Sequence, residues 1–457
     1  MPRACRVCRR RSSSARGPTR SRRSRRRGCE PGSPRVVTGS PETSRSGDGI
    51  RVLGGWRVRA GLVAGLVALA LALAAPTVPG LVEIVYARGL YPPLVTGLAS
   101  VSGLVTPSLI DPLIVLLAAL VVRAGWRAHR ALRPRGRLVA AAGVCVRVAS
   151  AAGAVWLVFL LAWGLNYARP HPARLLRLGP PQPDRFEPLI REIGRRLDRL
   201  RAELPEDADG VVLIPPDLGA WDRHLAPLEA ETFASLGLPA IRAGRAKWLL
   251  SSPLSRRWSV SGFYGPLTGE PTVVWPPAPA SLPFVVAHER AHLHGIATED
   301  GASLFALLTL WRSPRPTARY AAWLSLWTSL RLPVEGRHPG VRRDLVAIRR
   351  HVERWRGVEW RLAWRIYDRW LRTQGIREGA RSYAGAAPLA LQYLIDRGLP
   401  APIASAGGEF LGDGGEQLAP VGRLGERPAR AEPPGHGKEV EQARPAAPRD
   451  GDDPDVR

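Results

Sequence analysis

The stretch "FVVAHERAHLHGIATED", residues 284–300, decides how the rest of the chain is interpreted. It places two histidines around a glutamate as "HERAH" at residues 288–292. Histidines four residues apart on a helix project from the same face, one turn apart, so both imidazoles can reach one ion. Pro283 can begin this helix and Gly295 can end it. The spacing predicts a helix that carries a pair of metal ligands.

The third ligand is expected from the residues that follow. A catalytic zinc site takes three protein ligands and leaves one position open. The chain can reverse after the motif helix, so the first turn of the next helix can return Glu299 to the two histidines; Asp300 is the alternative. His294 lies two residues beyond His292 and therefore points elsewhere, as a supporting or surface side chain. We expect Zn²⁺ to be bound by His288, His292 and Glu299.

Glu289 is the candidate catalytic group within the motif. It lies about 100° around the helix from His288, so it can border the same ion without binding it. A carboxylate in that position can take a proton from a water molecule and pass it to a leaving amine. The pattern favours metal-assisted hydrolysis with Glu289 as the general base.

Three apolar segments precede the motif: Ala60–Thr77, Pro107–Val122 and Leu138–Leu165. A helix needs roughly 20 apolar residues to cross a bilayer. The second segment is shorter and contains Asp111, so it reaches this length only with the apolar residues before it. Three such segments in succession predict three transmembrane helices, with the lipid bilayer as a partner.

The arginines predict the orientation of these helices. Arg57 and Arg59 precede the first segment, and six arginines without an acidic residue occupy residues 123–137, between the second and the third. Short, positively charged segments stay in the cytoplasm. We therefore expect a multi-pass protein of the cell membrane, with a cytoplasmic N-terminus and an extracytoplasmic domain after the third segment.

Composition divides the chain into four parts. We predict a disordered, arginine-rich cytoplasmic tail at 1–55, the membrane region at 56–167, a folded, mostly helical domain at 168–402 and a disordered tail at 403–457. Residues 1–50 hold 14 Arg against three acidic residues, and thus supply +11 of the net charge of +27. They lack interleaved aromatic residues, which argues against a nucleic-acid partner.

The residues before the motif indicate where the site lies. Prolines 276, 277, 279 and 283 make a membrane-embedded motif implausible, so we expect the site outside the hydrocarbon. The segment "PTVVW" (271–275) and the segment "WSVSGFYG" (258–265) predict a hairpin. The "PTVVW" strand could be an edge that pairs with an extended peptide substrate, or the hairpin could simply pack on the motif helix. Both interpretations stay open.

Five segments resemble the bacterial membrane family called domain of unknown function 3810. They are "WGLNYAR" (163–169), "SGFYGPLTGE" (261–270), "LPFVVAHERAHLHGIATEDGA" (282–302), "IYDRWL" (366–371) and "EGARSY" (378–383), and the likeness covers roughly residues 60–395. The resemblance implies a mainly α membrane protein, with three N-terminal transmembrane helices and then an α+β, mostly helical zincin-like domain of the gluzincin type. The gluzincin pattern also supports Glu299 as the third ligand.

The resemblance implies a membrane-anchored zinc metallopeptidase that hydrolyses peptide bonds in a peptide or protein substrate outside the cytoplasm. This chain departs from the family pattern at Gly301, where a second glutamate is usual, and at Ser303, where an asparagine is usual. The alternative is therefore a non-catalytic membrane scaffold, or a structural-zinc protein, that retains the fold. Zinc peptidases often use a tyrosine to hold the oxyanion. Tyr383 is our candidate and Tyr264 the second, although either could serve only in packing.

Overall fold

The computed structural model describes residues 55–133 and 136–400. The two predicted tails lie outside these ranges, except for Gly55, so their disorder stays a prediction. The described chain is mostly helical and contains one small sheet, which confirms the predicted mainly α character. The α-helices of six residues or more are numbered below in chain order.

The first four helices come before the predicted domain. They are α1 (Trp56–Ala74), α2 (Tyr91–Gly103), α3 (Ile110–Leu132) and α4 (Arg137–Ala162), and a π-helical stretch, Val82–Leu90, leads into α2. Within the described residues, two helices are long and apolar enough to cross a membrane, Trp56–Thr77 and Arg137–Ala162.

The described residues thus contain two candidate spans, not the three predicted. The expected second segment lies in α3, which has Asp111 in its first turn and arginines at 123, 127 and 130. Its uninterrupted apolar run, residues 112–122, is about 16 Å long at 1.5 Å per residue. The hydrocarbon core of a bilayer is about 30 Å thick.

Helices α1 and α4 pack in parallel through small residues. A β-carbon on Gly61 would lie 2.2 Å from Oγ of Ser150, and one on Gly153 would lie 2.7 Å from Cα of Gly65. Such close backbone approach is how apolar helices commonly associate. Helix α3 packs along α4 in the opposite direction, and the start of α3 and the end of α4 both contact strand β2 of the domain.

The domain consists of helices around a three-stranded sheet. In chain order its elements are α5 (Phe186–Glu203), α6 (Leu218–Ser235), β1 (Lys247–Trp248), α7 (Ser252–Arg257), β2 (Gly262–Gly265), β3 (Glu270–Val273), α8 (Leu282–Leu293), α9 (Glu299–Trp311), α10 (Pro316–Ser329), α11 (Pro339–Trp355), α12 (Trp360–Thr373) and α13 (Ala386–Arg397). Every residue of α9 is buried, because α8, α10 and α13 pack around it. An apolar helix of this kind belongs at the centre of a core.

The sheet has the order β1-β3-β2. Strands β2 and β3 form the predicted antiparallel hairpin, with Phe263 opposite Thr272. The predicted edge is wrong, however, because β1 pairs with the other side of β3. The "PTVVW" strand is central, and β1 and β2 are the edge strands.

The chain between α1 and α3 packs on the domain. Tyr86, Tyr91 and Val95 share an apolar cluster with Tyr264 and Leu293. In addition, Nζ of the buried Lys247 donates to the Ser102 carbonyl at 2.7 Å and to Oε1 of the buried Glu270 at 2.6 Å. These contacts join the π-helical stretch and α2 to the core that carries the HERAH helix.

Candidate metal centre

Helices α8 and α9 bring three potential metal ligands together. His288 and His292 lie one turn apart on α8, and the chain then reverses at Gly295, whose φ of +78° favours glycine. Glu299 is the first residue of α9. The potential ligand atoms of the three side chains all lie within 4.8 Å of one another. Oε2 of Glu299 is 3.1 Å from Nε2 of His288 and 3.6 Å from Nε2 of His292.

The other nitrogen of each histidine is held by a neighbouring group. Oγ of Ser303 lies 3.2 Å from Nδ1 of His288, and Nδ1 of His292 lies 2.6 Å from the Ile296 carbonyl, to which it can donate. Such contacts fix the ring orientation of metal-binding histidines and leave Nε2 for the ion. Two imidazole nitrogens and one carboxylate oxygen, all buried, are a donor set that suits zinc.

The charges of the three side chains are coupled. Burial alone would raise the pKa of Glu299, but His288 and His292 hold it well below its usual range. Burial alone would lower the pKa of His292, yet its contact with Glu299 raises this pKa to about 9. Burial lowers the pKa of His288. Without metal, the site therefore contains an ion pair between His292 and Glu299.

Glu289 is buried beside these ligands, and its Oε2 has no hydrogen-bond partner among the described residues. Burial raises its pKa to about 8. A β-carbon on Gly262 would lie 2.9 Å from Oε1 of Glu289, so the edge strand β2 passes directly against this carboxylate. The glycine makes this approach possible.

Two tyrosines from the C-terminal part of the domain border the ligands. The Tyr367 hydroxyl donates to Oε1 of Glu299 at 2.5 Å. The Tyr383 ring stacks on the His288 ring, with centroids 6.5 Å apart. Tyr264, in contrast, lies in an apolar cluster with its hydroxyl 3.4 Å from that of Tyr91. Sequence analysis missed Tyr367, although it lies in the family-like segment "IYDRWL".

Asp300, the alternative third ligand, points away from the histidine pair. Its Oδ2 contacts Nε2 of His171 at 3.0 Å. His294 is buried, stacks on Phe233 with ring centroids 4.0 Å apart, and accepts a hydrogen bond from the Ile241 amide through Nδ1. Neither side chain joins the His288, His292 and Glu299 group.

The two departures from the family pattern have local explanations. Ser303 contacts His288, so a serine occupies the position from which a ring nitrogen is held. At Gly301, a β-carbon would lie 2.7 Å from Cγ of Pro172. A glutamate does not fit at Gly301 in this packing arrangement.

The C-terminal end of α8 is held by side chains from residues 75–109 and 163–169, which are called the membrane-proximal chain below. The Tyr91 hydroxyl donates to the Leu293 carbonyl at 2.9 Å, and Nη1 of Arg169 donates to the Gly295 carbonyl at 2.7 Å. Arg169 also pairs with the buried Glu83 at 2.8 Å. The last carbonyls of a helix lack partners within it, so these side chains fix the end of the helix that carries the histidines.

A cleft lies beside the start of the edge strand. Its lining includes Ser261 just before β2, Val274 just after β3, and Val285 on α8, one turn before Glu289. Arg256 and His351 are among its polar lining residues. The cleft thus adjoins the side of α8 that presents Glu289.

Together these elements describe a mostly helical protein with two potential membrane-spanning helices and a buried His-His-Glu group beside an edge strand. A family model described as "Protein of unknown function (DUF3810)" matches residues 86–391. The chain belongs to this family, which confirms the resemblance predicted from the sequence. Comparison with curated proteins and with solved structures found no match.

Proposed function

We propose that the protein is a membrane-anchored zinc metallopeptidase with a zincin-like, gluzincin-type site, in which His288, His292 and Glu299 hold the ion. The main support is the convergence of two imidazole nitrogens and one carboxylate oxygen within 4.8 Å. A buried carboxylate without a hydrogen-bond partner, Glu289, lies beside them. A purely structural zinc site does not require a buried, unpartnered carboxylate beside its ligands.

The proposed chemistry is the hydrolysis of a peptide bond. Bound zinc would polarise the scissile carbonyl and lower the pKa of a water molecule to about 7. Glu289 takes a proton from the attacking water and gives it to the amine nitrogen as the C–N bond breaks. Burial raises the pKa of Glu289 to about 8 in the metal-free site, and a bound cation beside it would lower that pKa so that the carboxylate could act as the base. The Tyr383 hydroxyl is proposed to donate to the developing oxyanion.

The proposed substrate is an extended peptide outside the cytoplasm. Strand β2 is an edge strand and adjoins Glu289 at Gly262. A peptide can add to such an edge through backbone hydrogen bonds, while neighbouring pockets accept its side chains. The cleft lined by Ser261, Val274 and Val285 is the pocket proposed for a substrate side chain.

Membrane anchoring and orientation belong to the same proposal. Arg57 and Arg59 lie at the start of α1, and further arginines lie where α3 ends and α4 begins. Because α1 and α4 run in parallel towards the domain, both arginine groups lie at the end away from it. The positive-inside rule then gives a cytoplasmic N-terminus and an extracytoplasmic domain, with α3, which runs antiparallel beside α4, as the return pass between the two spans.

The test compares three variants of the full chain in detergent with added zinc, using mass spectrometry to detect cleavage of a peptide mixture. Glu289→Gln should retain zinc but lose cleavage by about 10²- to 10⁴-fold, the usual contribution of a general base. His292→Ala should lose both. Glu353→Gln, an exposed carboxylate on α11, is the matched control and should behave as wild type.

Two outcomes would contradict the proposal. Cleavage by Glu289→Gln at the wild-type rate would remove Glu289 from the mechanism. A structural-zinc protein would instead show no cleavage in the wild type, zinc and stability lost in His292→Ala, and no change in Glu289→Gln.

A further inference from the structure

Helix α12 presents an apolar strip to the surface. Leu362 and Ile366 are 53% and 60% exposed, and Trp370, one turn further on, is 36% exposed. The spacing of four residues places the three side chains in a row along one side of the helix. Soluble proteins seldom expose such a row unless a partner covers it.

A row of arginines runs beside the apolar strip. Arg361, Arg365 and Arg369 each precede one of its residues, and all three are exposed. None of them forms an ion pair with an acidic residue of the described chain; the neighbouring Asp368 pairs with Arg372. A helix that combines an apolar strip with unpaired cations is typical of the membrane interface.

The position of α12 indicates which surface covers it. The Trp370 ring lies 6.5 Å from that of Phe159, in the last turn of the potential membrane helix α4, and 5.7 Å from that of Tyr167. The C-terminal part of α12 is therefore at the domain end of α4. Tryptophan and tyrosine are enriched at this depth, where the hydrocarbon meets the headgroups.

We propose that α12 lies on the surface of the same membrane that α1 and α4 cross, with Leu362, Ile366 and Trp370 at the boundary between headgroups and acyl chains. Arg361, Arg365 and Arg369 then contact the phosphates of anionic lipids. This inference rests on the membrane anchoring in the proposed function but not on metal binding or catalysis.

The side of α12 away from the arginine row reaches the candidate metal centre. Nε1 of Trp364 donates to the Trp258 carbonyl at 2.8 Å, and Tyr367 donates to Glu299. One helix thus contacts both the lipid surface and the third metal ligand. The lipid surface positions α12 and, through it, the Tyr367 hydroxyl.

The test measures the depth of single nitroxide labels on the full chain, with its natural cysteines replaced by alanine, in vesicles of phosphatidylcholine and phosphatidylglycerol. Labels at Leu362 and Ile366 are compared with one at Leu73 on α1, which is 69% exposed, and one at Val346 on α11, which is 44% exposed. Collisions with oxygen report lipid, and collisions with a water-soluble nickel complex report water.

We expect the labels at Leu362 and Ile366 to show severalfold fewer nickel collisions than the label at Val346 and more oxygen collisions. Equal values at Leu362, Ile366 and Val346, with Leu73 in lipid, would overturn the inference and leave membrane anchoring intact. A label at Leu73 that collides mainly with nickel would instead overturn the anchoring, and the interfacial position of α12 with it.

The contact of the arginine row with anionic lipid is tested in the same vesicles. Replacing Arg361, Arg365 and Arg369 by glutamine should raise nickel collisions at Leu362, and vesicles without phosphatidylglycerol should do the same. Three exposed arginines on α11, Arg342, Arg349 and Arg350, give the matched glutamine control, which should change nothing. An equal response to both sets of substitutions would overturn the role of the arginine row.

Discussion

At the scale of single residues, each proposed ligand is oriented by a second contact. Ser303 and the Ile296 carbonyl hold the two imidazoles, and Tyr367 holds Glu299 through the oxygen that does not face the histidines. Neighbours of this kind commonly contribute as much as 10- to 100-fold to metal affinity. The site is therefore larger than its three ligands.

The Tyr367→Phe variant tests this support. It removes one hydroxyl and leaves Oε1 of Glu299 without its donor. We expect zinc affinity to fall by about 10- to 100-fold, measured by competition with a chromophoric chelator. Tyr393→Phe on α13 is the matched control, because its ring belongs to the main core. Equal affinities in both variants would show that the Tyr367 contact does not orient the ligand.

The pH dependence of zinc binding follows from His292. Its pKa is raised from 6.5 to about 9 in the folded, metal-free protein, so zinc must displace a proton below that pH. We expect affinity to fall by up to about tenfold per pH unit from pH 9 towards 6.5, measured by chelator competition.

The same shift predicts the stability of the metal-free protein. The ion pair of protonated His292 with Glu299 contributes fully below the unfolded pKa of 6.5 and is lost as pH rises through about 9. Thermal unfolding of metal-free protein should therefore show this contribution decreasing over that range. A zinc affinity that does not change between pH 6.5 and 9 would contradict the assigned charges.

The sequence alone predicted those proposed metal ligands whose positions depend on local backbone geometry. The helical period brings His288 and His292 together, and the turn at Gly295 returns Glu299 to them. Tyr367 lies 68 residues beyond Glu299. No local period links the two, so their contact depends on the packing of whole helices.

At the scale of elements, the C-terminal end of α8 depends on side chains from outside the domain predicted at 168–402. Tyr91 and Trp163 donate to the carbonyls of Leu293 and His292. These bonds stabilise the helix end next to His292. The position of the second histidine is thus tied to the membrane-proximal chain.

Tyr91→Phe should destabilise this end of α8. Tyr91 and Leu293 are almost fully buried, so loss of the hydroxyl leaves the Leu293 carbonyl without its donor. We expect the free energy of unfolding to fall by about 1–3 kcal/mol, measured by chemical denaturation in detergent. Tyr393→Phe, in the main core, provides the control. A loss no greater than in this control would show that the Tyr91 bond contributes little.

The elements that sequence patterns failed to predict are those with weak local signals. Strand β1 has only two residues, Lys247 and Trp248, which is too few for an alternating pattern of apolar and polar residues to predict it. Its pairing with β3 nevertheless makes β3 central and leaves β1 and β2 as the edge strands. In α3, the charges that shorten the apolar run lie within a single continuous helix, so apolar content alone suggested a third span.

At the scale of the whole molecule, the membrane-proximal chain and the domain share a core. Tyr86, Tyr91 and Val95 pack on Tyr264 and Leu293, and the buried Lys247 and Glu270 pair fixes the loop after α2. The amino-acid composition predicted two separate regions because the membrane-proximal chain is more apolar than the domain. Their contacts are long-range, so no composition boundary could reveal them.

A chain that begins at residue 163 should therefore fail to fold. It lacks the residues that fill the second apolar cluster and Tyr91, which donates to the end of α8. We expect aggregation or rapid proteolysis, measured by size-exclusion chromatography and limited trypsin digestion. A chain that begins at residue 56, which keeps α1 to α4, is the control. A stable, monodisperse protein starting at residue 163 would contradict the shared core.

The most direct measurement of the central claim is zinc content by mass spectrometry on detergent-purified full chain. We predict about one zinc per chain in the wild type and in Asp300→Asn, whose side chain contacts His171, and a loss of zinc in both His292→Ala and Glu299→Gln. A well-folded wild-type protein without bound metal would contradict the account, as would zinc that survives Glu299→Gln but is lost in Asp300→Asn.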